Sequence, residues 1–443
     1  MRDYKNTKNT KLKKNSIFIA MNFSRYIATR ILNKGQEKNN ISSPIVKIGI
    51  IGIALGVAVM IITMAVVTGF QQQIIHKITT FTAHLQINDY DPNQSLEPNP
   101  IAFDSQMLQN LKDNSNVKHI QSFATKNGIL KTKTENEGVI LKGVSDDYDW
   151  NYLKPYVSEG TVLSINKTDV SKDIFISQTL ANKLHLKINQ KLLVYFMTKK
   201  KLEDTTFNGQ NYVGYEPRVK DFYVKGIFNT GFSDFDKNLV FVDLKQIQKL
   251  NYWGSNEVAG YEVYLNDFNL LEPSAAEVND IVGYKYTVAT VKELQSSIFS
   301  WLDMIDVNAE IIITLMILVA AINMISALLI LILERTNLIG ILKALGLANG
   351  DVRKIFFHVS LQLLIKGLFY GNLIGIGFCW LQLQFQFATL NPATYYLEFV
   401  PINLSIVHII LINIGTIITC LVMMFLPTLI LNKITPIKAI RFS

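Results

Sequence analysis

Hydrophobic positions along this 443-residue chain are concentrated in four long runs that contain no Asp, Glu, Lys or Arg. The runs cover residues 48–76, 311–333, 367–397 and 399–432. A hydrocarbon core about 30 Å thick is crossed by about 20 helical residues, so each run is long enough to span a bilayer. The pattern therefore predicts an α-helical membrane protein with four transmembrane helices and a long polar segment after the first.

The same pattern divides the chain into nine consecutive segments. In chain order they are a cytoplasmic N-terminal segment (1–47), the first span (48–70), an outer domain (71–308), the second span (309–333), a cytoplasmic loop (334–354), the third span (355–387), a short outer loop (388–401), the fourth span (402–431) and a cytoplasmic tail (432–443). The outer domain is long enough to fold around a core of its own.

Basic residues collect on one side of the predicted spans. Residues 1–47 hold eleven Lys and Arg against two acidic residues, whereas residues 71–308 hold 24 basic and 29 acidic residues. The formal net charge of +8 is thus −5 on the outer domain and +13 on the rest. Because basic flanks stay in the cytoplasm, this asymmetry sets the orientation. It also argues against nucleic acid as a partner, since no basic and aromatic stripe lies outside the membrane flanks.

The N-terminal segment contains a short amphipathic pattern. Phe23, Tyr26, Ile27 and Ile31 fall on one face of a helix, which favours an interfacial helix lying on the inner leaflet. A basic tail without regular structure remains the alternative.

Residue patterns in the outer domain predict short strands with intervening helices. The predicted strands are 84–87, 138–142, 174–177, 191–196, 222–226, 239–242 and 260–265, and the predicted helices are 101–113, 178–184 and 244–250. Residues 69–80 continue the first span as a helix, and residues 291–306 lead into the second in the same way. We therefore expect a large α+β domain inserted between helices 1 and 2.

Residues 197–219 lie between two predicted strands and contain the turn-forming pair Asn208-Gly209. They predict an exposed hairpin, with an irregular loop as the alternative. Such a hairpin has no packing role, so a contact with a partner is its natural use. Its candidate contact residues are Lys199, Lys200, Lys201, Tyr212, Glu216, Pro217 and Arg218.

Motifs for catalysis and for nucleotide or metal binding are missing from the sequence. There is no Gly-x-x-x-x-Gly-Lys-Ser/Thr phosphate loop, and the six histidines never fall at metal-ligand spacings. Two cysteines exclude a disulfide scaffold. We predict that the chain is not an enzyme and holds no metal or cofactor.

Two pairs of glycines in the spans have the Gly-xxx-Gly spacing, namely Gly52 with Gly56 and Gly371 with Gly375. Small residues let helix backbones approach closely in a membrane, so the pairs predict helix-packing faces. Glycines placed by chance are the alternative.

The cytoplasmic loop contains a short helical motif. Leu338, Ile341, Leu342 and Leu345 recur at the spacing of one helical face, and Gly346 follows as a C-terminal cap. The apolar stripe needs either a partner surface or the protein's own spans to cover it. The motif comprises Glu334, Arg335, Thr336, Asn337, Leu338, Ile339, Gly340, Ile341, Leu342, Lys343, Ala344, Leu345 and Gly346.

This motif resembles the coupling-helix segment of the FtsX-like ABC-transporter permeases, the MacB/Lol superfamily. Segments at 53–70, 224–236 and 395–401 resemble the lipoprotein-releasing (LolC/LolE) branch, with Gly-Ile-Phe-Asn-Thr-Gly at 226–231 as the segment that favours it. Two residues depart from the family pattern. Thr68 stands where members commonly have asparagine, and Leu338 stands where many have an acidic residue.

The resemblance implies a permease subunit of an inner-membrane transporter, with its large domain in the periplasm. It implies three protein partners: a separate ABC ATPase subunit (LolD-like) that holds ATP and Mg, a second permease subunit in a homo- or heterodimer, and a periplasmic lipoprotein carrier (LolA-like). The resemblance also implies lipoprotein substrates and contact with membrane lipids. The motif at 334–346 would contact the ATPase, and the hairpin at 197–219 would be the hook that binds the carrier.

Three other functions compete with lipoprotein release. They are MacB-like efflux of drugs or peptides, FtsX-like signalling to a cell-wall hydrolase, and a membrane-tethered receptor. MacB carries its ATPase on the same chain, FtsX has a far smaller outer domain, and a receptor has no use for a coupling helix. Lipoprotein release is therefore the function that we predict.

Overall fold

The computed structural model describes residues 24–31, 42–91, 98–102, 104–199, 206–207, 210–211 and 215–430. The chain divides into two compact units. The helical unit takes its residues from Met1–Gln71, Leu302–Ala388 and Val400–Ser443, and the sheet unit from Gln72–Trp301 and Thr389–Phe399.

Four of the helices in the described part of the chain are long and apolar enough to cross a membrane. In chain order the helices are α1 (24–31), α2 (Ser42–Thr82), α3 (Ser105–Lys112), α4 (Gln178–Lys183), α5 (Ser233–Asn238), α6 (Leu244–Asn251), α7 (Leu271–Val282), α8 (Val291–Leu294), α9 (Ser296–Glu334), α10 (Thr336–Ala344), α11 (Asn349–Phe385), α12 (Pro392–Tyr395), α13 (Ile406–Met423) and α14 (Phe425–Ile430). Short 3-10 helices cover Trp150–Tyr152, Lys154–Tyr156 and Phe268–Leu270.

The apolar helices overlap the four predicted spans, but their ends differ: α2 begins at Ser42 rather than at 48, and α11 begins at Asn349 rather than at 355. The fourth span begins at Ile406 rather than at 402, because the chain before it is irregular and the Asn403 N–H donates to the carbonyl oxygen of Ala65 at 2.9 Å. The predicted helix at 291–306 is interrupted at Gln295, which separates α8 from α9.

One ten-stranded mixed sheet forms the sheet unit, in the order β14-β1-β13-β3-β4-β11-β6-β10-β5, with β7 paired to both β10 and β3. The strands are β1 (Leu85–Asp89), β2 (Ile101–Ala102), β3 (Val117–Lys131), β4 (Asn136–Val144), β5 (Val157–Gly160), β6 (Asp173–Ser177), β7 (Lys191–Lys199), β8 (Thr206–Phe207), β9 (Gln210–Asn211), β10 (Tyr215–Phe228), β11 (Leu239–Asp243), β12 (Glu257–Val258), β13 (Gly260–Leu265) and β14 (Tyr286–Thr290). Strands β2 and β12 form a separate pair, as do β8 and β9.

All seven predicted strands overlap observed strands, but the predicted helix at 101–113 is wrong at its start. Its first residues form strand β2, and α3 begins at Ser105. The reason is a cap: the Asp104 carboxylate accepts hydrogen bonds from the backbone N–H groups of Gln106 and Met107, at 3.0 and 3.1 Å. A capping aspartate marks a helix start more reliably than the apolar pattern around it.

An aromatic cluster holds the last turn of α2 in the core of the sheet unit. The Phe81 ring stacks on Phe235 with centroids 4.7 Å apart, and it lies 6.4 Å from the rings of both Phe228 and Phe241. Such ring pairs stabilise a core beyond the apolar area that they bury.

Candidate functional site

The motif at 334–346 forms helix α10, and its apolar stripe lies in two environments. Leu338 and Leu342 are partly buried and pack against a core that also contains Ile339. Ile341 is 46% exposed and Leu345 is 77% exposed. The protein's own helices therefore cover half of the stripe, and the other half remains an exposed apolar surface.

Gly346 ends α10 in a Schellman motif. Its φ is +93°, a left-handed conformation that favours glycine. Its N–H donates to the Lys343 carbonyl oxygen at 3.0 Å, and the Leu347 N–H donates to that of Leu342 at 3.1 Å. These two bonds are the pair that defines this cap. The exposed Leu345 is therefore presented from a well-defined turn that leads into α11.

The remaining residues of the motif differ in exposure. Glu334 and Ala344 are exposed, whereas Gly340 is buried and Arg335 is half-buried. Lys343 is half-buried, and partial desolvation lowers the pKa of its ammonium group. The motif thus combines apolar and charged groups, with Glu334 at the end of α9 and Lys343 in α10.

Helix α1 packs into the same core as α10. Its Ala28 and Ile31 are buried together with Leu331, Val352 and other side chains of the spans. The predicted apolar face is partly wrong, because Tyr26 is 59% exposed and Ala28 takes its place. The helical spacing alone does not decide whether Tyr26 is buried or exposed, because its ring is amphipathic. Phe23 lies outside the described residues.

Glycines of α2 face α9 at close range. A Cβ added to Gly52 would lie 2.5 Å from the Asn323 Nδ2 atom, which is closer than side-chain atoms approach. Gly56 has more space, since its nearest neighbours are the Met316 carbonyl oxygen at 3.6 Å and the Ala320 Cβ at 3.8 Å. The α2–α9 contact therefore requires glycine at 52 more strictly than at 56.

Glycines of α11 face the other side of α2. A Cβ at Gly371 would lie 2.8 Å from the carbonyl oxygen of Ala54, and one at Gly375 would lie 3.1 Å from the Cα of Ala58. Both glycines are buried. Small residues thus bring three membrane helices into backbone contact, which is how Gly-xxx-Gly spacing acts in membranes.

Residues 197–219 contain the two arms of a hairpin. Strands β7 and β10 pair from Lys191 opposite Tyr223 up to Lys199 opposite Tyr215. Farther along, β8 and β9 form a second short antiparallel pair. The predicted contact residues Lys200, Lys201 and Tyr212 lie outside the described residues.

The base of the hairpin is held by a cluster of three side chains. The Glu216 carboxylate pairs with the Arg218 guanidinium at 2.7 Å and accepts a hydrogen bond from the Tyr252 hydroxyl at 2.9 Å. The Arg218 guanidinium also lies over the Tyr252 ring, 4.5 Å from its centroid, and contacts its hydroxyl. Pro217 between them is exposed. Sequence reasoning missed Tyr252, which lies after α6.

A second polar cluster joins the last turns of α2 to two segments that carry the family resemblance, 224–236 and 395–401. The Lys77 ammonium donates to the backbone carbonyl oxygens of Thr230 and Tyr396, at 2.7 and 2.9 Å. The Tyr396 ring stacks on Phe232 with centroids 4.2 Å apart. Lys77 thereby fastens the turn after β10 and the loop after α11 to the last turns of α2. No pattern in the sequence pointed to this lysine.

Asp236 shapes the turn that Lys77 holds. Its carboxylate accepts from the Thr230 hydroxyl at 2.7 Å and from the Gly231 N–H at 3.0 Å. Burial raises the pKa of this carboxyl group, and these hydrogen bonds oppose the rise. The residue therefore orders the Thr230–Gly231 turn from inside the sheet unit.

A buried ion pair lies at the end of α2. The Lys142 ammonium is 2.5 Å from the Glu262 carboxylate and donates to the Phe81 carbonyl oxygen at 2.6 Å. Gln121 donates to the second Glu262 oxygen at 2.8 Å. Cations near a helix C-terminus interact favourably with its dipole, so the pair also stabilises the end of α2.

Thr68, which stands where family members commonly have asparagine, lies on α2 against the chain before the fourth span. Its hydroxyl donates to the Met64 carbonyl oxygen at 2.7 Å and lies 3.4 Å from the carbonyl oxygen of Asn403.

Within the described ranges, no group of three His, Cys, Asp or Glu side chains is placed to hold a metal ion.

The fold and these sites define the class of protein: a membrane protein with four apolar helices and a large α+β domain. The MacB-like periplasmic core domain family matches residues 48–281, more than half of the chain, and the FtsX-like permease C-terminal family matches residues 310–436. The chain therefore belongs to the FtsX-like ABC-transporter permeases that carry a MacB-like periplasmic core domain.

Curated relatives match over 82–99% of their own length. The lipoprotein-releasing system transmembrane protein LolC of Xylella fastidiosa is 22% identical over 93% of this chain and 97% of its own. LolC of Neisseria meningitidis serogroup B is 24% identical over 94% and 99%, and LolE of Haemophilus influenzae is 24% identical over 80% and 82%.

Two solved structures are similar to part of the chain. The extracellular domain of the transporter YknZ from Gram-positive bacteria covers 46% of this chain and 99% of its own, with 18% identity and a TM-score of 0.30. The periplasmic region of MacB from Actinobacillus actinomycetemcomitans covers 51% and 98%, with 11% identity and a TM-score of 0.32.

Proposed function

We propose that this chain is the permease subunit of an inner-membrane ABC transporter that extracts lipoproteins from the outer leaflet and passes them to a periplasmic carrier. The observation that carries the proposal is its end-to-end similarity to LolC proteins, which covers at least 90% of both chains for relatives from Xylella, Neisseria and Buchnera. The periplasmic domain is inserted between the first and second spans, and ATP is hydrolysed on a separate ATPase chain.

The exposed half of α10 is the surface proposed to contact that ATPase. Ile341 and Leu345 are apolar, exposed and presented from a capped helix. Burying a side chain of this size contributes about 1.5–3 kcal/mol, so these two residues would contribute a substantial part of such a contact. Leu338, where many family members have an acidic residue, packs against the protein's own core and lies outside this exposed surface.

Movement of the ATPase would reach the spans through the core around α10. Leu338, Ile339 and Leu342 pack with residues of α1, α9 and α11. Protein interiors are close-packed and transmit displacement with little compression. A shift of α10 would therefore displace the adjoining ends of α9 and α11 together.

Exposed faces of α2 and α9 are proposed to meet the acyl chains of the substrate. Ile51 and Leu55 on α2, with Leu315 and Leu318 on α9, are each at least half exposed in this chain. A second permease subunit, identical or related, would close the other side of that cavity. The hairpin at 197–219 would receive the carrier outside the membrane.

The test is reconstituted release of a labelled lipoprotein from vesicles to a soluble carrier, with the ATPase subunit present. We expect Ile341→Asp combined with Leu345→Asp to lower the release rate at least about tenfold, because an isolated charge is costly to bury in the proposed contact. Asn349→Asp, on an exposed position after the motif, should leave release unchanged. Normal release by the double variant would contradict the assignment of α10.

Depletion of the protein in cells separates lipoprotein release from the alternatives. Lipoproteins destined for the outer membrane should accumulate in the inner membrane. Unaltered sorting, with increased sensitivity to drugs or a cell-division defect, would favour efflux or signalling to a hydrolase instead.

A further inference from the structure

A small groove lies between the beginning of α11 and the end of the fourth span. Its volume is about 180 Å³, and its walls are mostly apolar. Phe357, Leu421, Met424 and Phe425 line it. The α11 residues here lie in its first turns, whereas the far end of α11 leads into residues of the sheet unit. The groove is therefore at the cytoplasmic side of the membrane.

The apolar wall of this groove lies at the edge of the described helices. Only 17% of the 18-residue apolar stretch within Ile406–Thr428 is buried within the chain, against 33–44% of the corresponding stretches in the other three apolar helices. Phe425 is 65% exposed, and Phe357 is 42% exposed. In a bilayer, apolar side chains exposed on a peripheral helix are covered by acyl chains.

Two basic residues complete the groove, Arg353 and Lys354. The Arg353 Nε atom is enclosed and makes no hydrogen bond, and within the described part of the chain no acidic side chain pairs with its guanidinium. Lys354 differs, because its ammonium group contacts Asp351 at 2.8 Å. Both belong to the first turns of α11, where the helix dipole also favours an anion.

We propose that this groove binds an anionic phospholipid of the cytoplasmic leaflet. The phosphate group would contact Arg353, with Lys354 adding positive charge, and an acyl chain would lie along Phe357 and Leu421. A basic pocket between apolar helices on the cytoplasmic side has the chemistry that anionic headgroups require. A zwitterionic lipid offers the same phosphate, but its ammonium group would face two cations. The inference does not depend on which substrate the permease moves.

The experiment measures lipids retained by the purified full-length protein with its partner subunits, by native mass spectrometry. Phosphatidylglycerol and phosphatidylethanolamine are supplied in equal amounts. We expect Arg353→Gln with Lys354→Gln to lower the retention of phosphatidylglycerol about tenfold, since each basic residue near a membrane surface contributes substantially to anionic lipid binding. The matched control is Arg25→Gln with Lys47→Gln, which removes the same charge from exposed positions of the helical unit and should retain the lipid.

A second variant tests the groove without changing its charge. Leu421→Trp should fill part of the apolar wall and also lower retention of phosphatidylglycerol. Equal retention of both lipids by the unmodified protein would overturn the proposal, because it would mean non-selective contact with the bilayer. Unchanged retention in both variants would overturn it too. So would loss of a partner subunit from the double variant without loss of lipid, since the groove would then bind protein.

Discussion

Two ion pairs in the sheet unit differ in how far they are removed from water. The side chains of Lys142 and Glu262 are 4% and 0% exposed, whereas those of Arg218 and Glu216 are 34% and 33% exposed. Both pairs have good geometry, and each has a further polar partner. Removing one member of the buried pair leaves a charge without water, whereas removing one member of the other leaves a charge that solvent can reach.

The Lys142–Glu262 pair therefore maintains the fold, whereas the Arg218–Glu216 pair is accessible to a functional contact. The buried pair lies at the end of α2, where Lys142 also binds the Phe81 carbonyl oxygen. The half-exposed pair lies at the base of the hairpin. Loss of the half-exposed pair is therefore expected to leave the sheet unit folded.

The largest expected effect follows from Lys142→Met. The substitution leaves Glu262 buried and unpaired, which costs about 3–5 kcal/mol. It should lower the free energy of unfolding of the sheet unit, measured as protease susceptibility of the purified protein across a urea series. Lys183→Met is the control, because it removes an exposed partner of Glu137 and should cost less than about 1 kcal/mol.

A double variant sharpens this result. Lys142→Met with Glu262→Leu should recover part of the loss, because replacing both partners of a buried pair by apolar groups is often neutral. Equal stability of Lys142→Met and the unmodified protein would contradict the view that this pair matters to the fold.

The sequence predicts the membrane spans but does not predict the Lys142–Glu262 ion pair. Long runs without charge identify membrane helices because the bilayer excludes unpaired charges. Lys142 and Glu262 are far apart in sequence, and β3 brings them together by pairing Thr125 with Lys142 and Gln121 with Glu262. Strand β3 itself was missed, since buried polar residues such as Gln121 and Lys126 obscure its alternation.

The candidate site likewise has features that the sequence predicts and features that it does not predict. The spacing of 334–346 correctly predicted a helix with a glycine stop, because both depend on local geometry. Which residues of the stripe stay exposed depends on the packing of α1, α9 and α11. Likewise, the hairpin arms follow from alternation and a turn, but the contact with Tyr252 depends on where α6 ends.

The next effect concerns His84, a half-buried imidazole. Burial lowers its pKa from 6.5 to about 4, with Lys118 and His76 adding to the effect, and its Nδ1 atom accepts from the Leu265 N–H at 2.7 Å. The folded pKa lies below the unfolded one. The stabilisation is therefore complete above pH 6.5 and is lost as the pH falls towards 4, by at most about 3 kcal/mol.

His84→Asn tests this pH dependence, because asparagine keeps an acceptor for the Leu265 N–H but does not titrate. Urea unfolding at pH 7 and pH 4.5 should show a larger loss of stability for the unmodified protein than for the variant. The difference between the two proteins isolates His84 from the carboxyl groups that titrate in both. An identical pH dependence in both proteins would refute the assignment.

The smallest effect on stability is expected for Arg218→Gln at the base of the hairpin. The half-exposed ion pair and the contact with the Tyr252 ring are together worth about 1 kcal/mol, so the urea midpoint should hardly change. Transfer of lipoprotein to the carrier should nevertheless decrease, because the side chains that orient the hairpin are lost. Lys172→Gln is the control, since Lys172 pairs with Asp221 of the same strand β10, with its side chain 57% exposed against 34% for Arg218. If both variants slow transfer equally, the hairpin has no special part in receiving the carrier.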